Sequence, residues 1–171
     1  MITRTEIRVA ASAALLMAAA CSHVPSILPP PASTTPGTTS TTISALESEV
    51  HELINRRRGA LGLSLLTADP VLNALAREHS TRMALGEVAV GHDAFEDRFD
   101  RAHTALAISR MAENVASNSG YPAAAVPQQM VDGWIRSPRH RASLEGDFRL
   151  TGVGIARSAT GEFFGTQLFA D

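Results

Sequence analysis

Lysine is absent from this chain of 171 residues, and all 15 of its basic residues are arginine. That excludes a Schiff-base nucleophile and a phosphate-loop lysine. Cysteine is nearly absent. Its single copy, Cys21, can close no internal disulfide and build no Cys-cluster metal site. Charge is sparse as well: charged residues make up 19% of the chain and the formal net charge is −2, which leaves no basic footprint for nucleic acid. Long apolar runs are also missing. The longest, Val9 to Ala20, falls well short of the roughly 20 residues that a membrane-spanning helix needs.

What is present at the N-terminus reads as an address. Arg4 and Arg8 precede the short apolar run, and small residues follow it, as in a secretory signal peptide. Met17-Ala18-Ala19-Ala20-Cys21 resembles a bacterial lipobox, with Ala18 where leucine is usual. The expectation is a signal peptide over 1–20 and lipidation of Cys21, which would anchor the chain on the extracytoplasmic face of the membrane. The other reading is an ordinary signal cut near Ala20 and a secreted product. Residues 22–42 hold 5 Pro, 4 Ser and 6 Thr, a composition that cannot bury enough apolar surface to offset its ordering entropy. Residues 21–43 are therefore expected to be anchor and spacer. A single folded domain is expected over 44–171.

Within that domain, Ser44 to Glu47 has the form of a capping box, and Leu46, Val50, Leu53 and Ile54 follow on one helical face. Asp69-Pro70 pairs an N-cap with a first-turn proline. Leu72, Leu75, Ala76, His79 and Met83 then share a face. Phe95 and Phe99 suggest a short third helix. Pro127 opens a fourth, striped by Met130, Val131 and Trp134, and Ser137-Pro138 ends it. Leu150–Arg157 and Glu162–Ala170 flank the turn Ala159-Thr160-Gly161 as a β-hairpin, and Met111–Ser117 offers another strand. The expected class is α+β, with helices layered on a small antiparallel sheet.

Without lysine or a domain cysteine, the candidate chemistry is histidine, carboxylate and hydroxyl. His79, on an apolar face, reads as a core histidine, while His51 and His103 read as solvated. His92 and His140 stand at loop edges, where functional groups concentrate. Glu113 and Asn114 lie inside a strand candidate. Asn114 is expected to satisfy backbone groups, Arg141 to pair with an acid, Trp134 to lie in the core, and Gly152 and Gly154 to allow close packing. Gln167 could face the same site from the last strand.

Several blocks then resemble one family in its own order. They are Asn55-x-x-Arg58, Leu61-x-Leu63-x-x-Leu66, Asp69-Pro70-x-Leu72, Ala76-x-x-His79-Ser80-x-x-Met83-Ala84, Gly91-His92, Glu113-Asn114-Val115-Ala116, Trp134-x-x-Ser137-Pro138-x-His140-Arg141, Gly152-Val153-Gly154 and Thr166-Gln167-x-Phe169. Over about residues 47–170 the chain resembles bacterial CAP (SCP) domains. The resemblance implies an α-β-α sandwich and a cleft lined by two histidines and two acidic residues. By motif position His92, Glu113 and His140 match three of these four. Ser137 stands where the fourth, an acid, would be, as in the bacterial variant. The resemblance implies two kinds of role: some family members bind zinc or another divalent ion through the two histidines, and many act by binding sterols, fatty acids or other proteins, without demonstrated catalysis.

Two functional readings follow. One is a binding module whose cleft, lined by His92, Glu113, Ser137 and His140, takes a lipid, a wall fragment or a protein, with a divalent metal such as zinc at His92 and His140. The other is a metal-dependent hydrolase or protease using His92, Glu113 and His140, because two imidazoles, a carboxylate and an open water position resemble a catalytic zinc shell. A Ser137–His140–Glu113 triad has suitable residue types but no nucleophile elbow.

Overall fold

The computed structural model describes residues 42–171. The expected signal peptide, Cys21 and nearly all of the expected spacer lie outside the described residues. The elements are α1 (Ile43–Ala60), β1 (Thr67–Ala68), α2 (Pro70–Ala84), α3 (Phe95–Leu106), β2 (Met111–Asn118), a 3₁₀ turn (Ala123–Ala125), α4 (Val126–Arg136), α5 (Pro138–Leu144), β3 (Leu150–Arg157) and β4 (Phe163–Ala170). The strands order as β1-β3-β4-β2. β2, β4 and β3 are antiparallel, as the hairpin pattern predicts. The two-residue β1 adds a parallel pairing to β3, so the sheet is mixed rather than purely antiparallel.

Helices cover both faces, giving the α-β-α sandwich. On one face Leu46, Val50 and Ile54 of α1 and Met130, Val131 and Trp134 of α4 pack against Val153, Ile155 and Phe169. On the other, Leu72, Leu75 and Ala76 of α2 and Ala102 of α3 pack against Leu168 and Ala170. Gly152 and Gly154 are what let α2 lie directly on β3. A Cβ at either position would overlap the main chain of Leu72 or of Ala76 and Arg77.

The helix starts follow sequence chemistry with two differences. Asp69 Oδ1 accepts from the Val71 and Leu72 amides, as the Asp-Pro signal requires. The first helix, however, is capped by Thr42, whose hydroxyl accepts from Ala45. Ser44 to Glu47 is not the capping box. Glu47 turns inward instead, taking two bonds from Arg77 and one from the Ile155 amide. Ser137-Pro138 does end α4, but the same proline sits in the first turn of α5. The sequence hides α5 because only Leu144 of its seven residues is buried, which leaves no apolar period to read. Asn55 and Arg58 act structurally. Asn55 brackets the Leu66 amide and carbonyl, and the buried Arg58 donates to the carbonyls of Ser64, Leu144 and Gly146.

Candidate functional site

The site is assembled around Glu113. On β2, alternation turns Glu113 toward α3, and its side chain is 1% exposed. A carboxylate so placed needs partners. Arg98 of α3 supplies two hydrogen bonds, Nε to Oε2 at 2.8 Å and Nη2 to Oε1 at 2.9 Å. His92 Nδ1 donates the third, to Oε1, at 2.9 Å. This bond fixes the neutral imidazole as the Nδ1–H tautomer and leaves Nε2 with a bare lone pair. The His92 side chain is 47% exposed, so that lone pair belongs to an accessible ring.

The loop carrying His92 is held from both sides. Ahead of it, the Gly91 carbonyl accepts from Nε2 of His79 on α2 at 2.8 Å. Behind it, the Asp93 carbonyl accepts from Arg98 Nη1 at 2.7 Å. His79 is buried, and that burial pushes its pKa below the usual histidine value, so it serves as a neutral donor. It is the core histidine expected from its helix face, but it also positions His92. Its Nδ1 has no partner.

His140 approaches from α5. Burial lowers its pKa first, and positive charge on His92 and on Arg139 lowers it further. Asn114 points to the opposite face of β2 from Glu113 and donates to the His140 carbonyl at 3.0 Å, tying α5 to the strand. Ser137 and His140 line one cavity of about 370 Å³ with Tyr121, Met130 and Trp134. His92 and Glu113 line a neighbouring cavity of about 310 Å³ with Phe95 and Met111. Trp134 is core, and its Nε1 donates to the Val115 carbonyl at 3.0 Å.

Some residues sit elsewhere than the sequence suggests. Gln167 is fully buried and donates to Thr151 Oγ1, away from the cleft. Arg141 is exposed and forms no ion pair among the described residues. His51 is half-buried, with Nε2 donating to the Leu66 carbonyl, rather than solvated. His103 is exposed, with Nδ1 donating to the Ile108 carbonyl. The residue that sequence reasoning missed is Arg98. Its signal was available: an arginine between Phe95 and Phe99, on the inward side of a short amphipathic helix.

For a metal, the donor set is two imidazoles. Among the described residues no three His, Cys, Asp or Glu side chains gather around one point. Glu113 is already occupied by Arg98. Two imidazoles with water completing the shell have the donor chemistry of a divalent-ion site. They do not fit a three-ligand catalytic zinc shell. No hydrogen bond joins Ser137 to His140, and Glu113 orients His92 rather than His140, so the three residues do not form a relay.

The fold is shared with solved structures. An outer surface protein from Borrelia burgdorferi aligns with a TM-score of 0.64 at 21% identity, over 76% of this chain and 95% of that one. An extracellular SCP-domain protein from Bacillus anthracis gives 0.61 at 26% identity, over 74% of this chain and 40% of that one. A cysteine-rich secretory protein from Staphylococcus aureus gives 0.60 at 19%, over 77% and 40%. Among curated protein sequences no relative is found. The profile of the CAP (cysteine-rich secretory protein) family matches residues 51–169, well over half of the chain, and the chain belongs to that family.

Proposed function

We propose that this CAP domain is an extracytoplasmic binding module, tethered through Cys21, whose His92–Glu113–His140 cleft takes an envelope ligand and reversibly holds a divalent metal. One observation carries the reading: both Glu113 oxygens are committed to Arg98 and His92. A carboxylate held this way orients an imidazole and raises its basicity. It is a poor general base, and among the described residues no base is hydrogen-bonded to Ser137. What remains open to solvent is imidazole nitrogen and strand edge, which suits recognition better than turnover. The extracellular and outer-surface descriptions of the Bacillus and Borrelia proteins support the location.

His92 and His140 would be the metal ligands, with Glu113 behind His92. A bound divalent ion would supply Lewis acidity and an open coordination position for a ligand oxygen.

Zinc titration of the purified full-length chain tests this reading, run beside competition assays with a fluorescent fatty acid, a fluorescent sterol and wall fragments. The expected result is one reversible zinc per chain. Binding should be lost in His92→Ala and His140→Ala and weakened about tenfold in Glu113→Gln. Affinity should fall with pH through the histidine range, because protons compete for the imidazoles. Steady peptide hydrolysis abolished by His92→Ala would overturn the binding reading in favour of a metal-dependent hydrolase. For the tether, Cys21→Ser should move the protein out of the membrane fraction. A variant that stays membrane-bound rules out Cys21 as the anchor.

A further inference from the structure

β2 is an edge strand, hydrogen-bonded to β4 alone. Antiparallel pairing turns the amide and carbonyl of alternate residues to the same side. In this register Arg110 stands opposite Asp171, and its carbonyl accepts from the Asp171 amide. Even-numbered residues of β2 therefore face β4, and Met111, Glu113, Val115 and Ser117 present their amides and carbonyls outward. The Trp134–Val115 bond confirms the phase, because it reaches the Val115 carbonyl from outside the sheet. The other outward groups have no hydrogen-bond partner among the described residues.

Three further features separate this edge from an ordinary one. Part of its main chain reaches the surface: Glu113 as a residue is 8% exposed while its side chain is only 1% exposed, so the small surface it shows is backbone. Its one charge, Glu113, is turned inward and neutralised by Arg98, and it carries no lysine or proline. Those are the usual devices that keep a second strand away. The two cleft cavities also lie along it, one beside Met111 to Glu113 and the other beside Val115 to Asn118. At the opposite edge of the sheet β1 is only two residues long, so β2 is the edge long enough to template a partner.

We propose that the cleft recognises an extended polypeptide, added as a fifth strand on the outer edge of β2 through the main-chain groups of Met111, Glu113 and Ser117, the Val115 carbonyl being already taken by Trp134. This rests on the binding-module reading and names the ligand class. Unpaired alternate donors and acceptors match an extended peptide and not a lipid chain, which has no donors to offer. Main-chain pairing would give affinity, and the two cavities would select alternate side chains.

The test uses the full-length chain and a fluorescein-labelled, acetylated and amidated octapeptide of alternating Thr and Val. We expect saturable binding, with the amide protons of Met111, Glu113 and Ser117 slowed at least tenfold in hydrogen exchange. N-methylation of the peptide at one set of alternate residues should abolish binding, and at the other set preserve it. Ser117→Pro removes an outward amide from an exposed position without touching the β4 ladder. It should weaken the peptide about tenfold with an unchanged melting temperature. Absence of peptide binding, or equal effects from both methylation sets, overturns the inference. If zinc or a fluorescent lipid still binds in that case, the cleft reading survives and only the ligand class fails. If nothing binds, both fall.

Discussion

Replacing Arg98 with methionine isolates the group on which the site depends. The substitution keeps the volume and the apolar stem, and it removes three hydrogen bonds, two to Glu113 and one to the Asp93 carbonyl. The side chains of Arg98 and Glu113 are 5% and 1% exposed, so water cannot take the place of the guanidinium. Breaking a buried pair from one side leaves an uncompensated charge, at a cost of about 4 kcal/mol. For a domain whose total stability is of order 5–15 kcal/mol, that is a large fraction. Spread over a domain of this size, it lowers the melting temperature by about 15 °C. Urea unfolding followed by circular dichroism measures the loss. The double variant Arg98→Met/Glu113→Gln removes the stranded charge and should recover about half of the stability lost in Arg98→Met, so its cost falls short of the two single losses added together. A single variant costing under about 1 kcal/mol would refute the reasoning. So would a double variant whose cost is the plain sum of the two single losses, because Glu113 would then not be a buried charge that depends on Arg98.

The glycines of β3 give a second prediction. Gly154→Ala forces α2 off the sheet and should cost about 3 kcal/mol. Gly133→Ala, in α4 with nothing within 4 Å of the added methyl, should instead stabilise by up to about 1 kcal/mol. Equal effects in a urea titration would show that the α2–β3 contact is not tight. A third concerns pH. Burial lowers the pKa values of both His79 and His140 in the folded state. Below the ordinary histidine value of about 6.5 the unfolded chain therefore binds protons that the folded chain refuses. Stability should be fully present above that value and decline as pH falls from about 7 toward 5. A urea midpoint that is flat or rises on acidification would contradict the neutral state of buried His79 and half-buried His140.

Much of the fold is legible in the sequence because its signals are local. Asp69-Pro70 starts α2 by satisfying two amides three residues away at most, and the apolar face of α2 repeats cleanly from Leu72 to Met83. The β3–β4 hairpin follows from turn chemistry and period. The elements that escape are those without a period. β1 is two residues long, and α5 is a two-turn helix whose exposure leaves one buried residue. The cap at Thr42 escapes for a different reason. Ser44 and Glu47 have capping-box spacing, but Glu47 gains more from Arg77 and the Ile155 amide than from the end of its own helix. A tertiary partner 108 residues away in sequence decides the role of that side chain.

The site divides along the same line. His92, Glu113 and His140 can be named from motif order, but their roles cannot, because the roles are set by main-chain carbonyls and by Arg98. His92 is aimed by the carbonyls on either side of it, Gly91 held by His79 and Asp93 held by Arg98. A carbonyl carries no sequence signature, so the three letters by themselves do not fix how the side chains are aimed. The partition of Glu113 then limits what that carboxylate can do. With Arg98 and His92 on its two oxygens it cannot also orient His140, so the histidines become inequivalent: one is fixed in tautomer by a carboxylate, the other is kept neutral by burial and by its neighbour. That inequivalence comes from Arg98, a residue outside the motif blocks that carry the family resemblance.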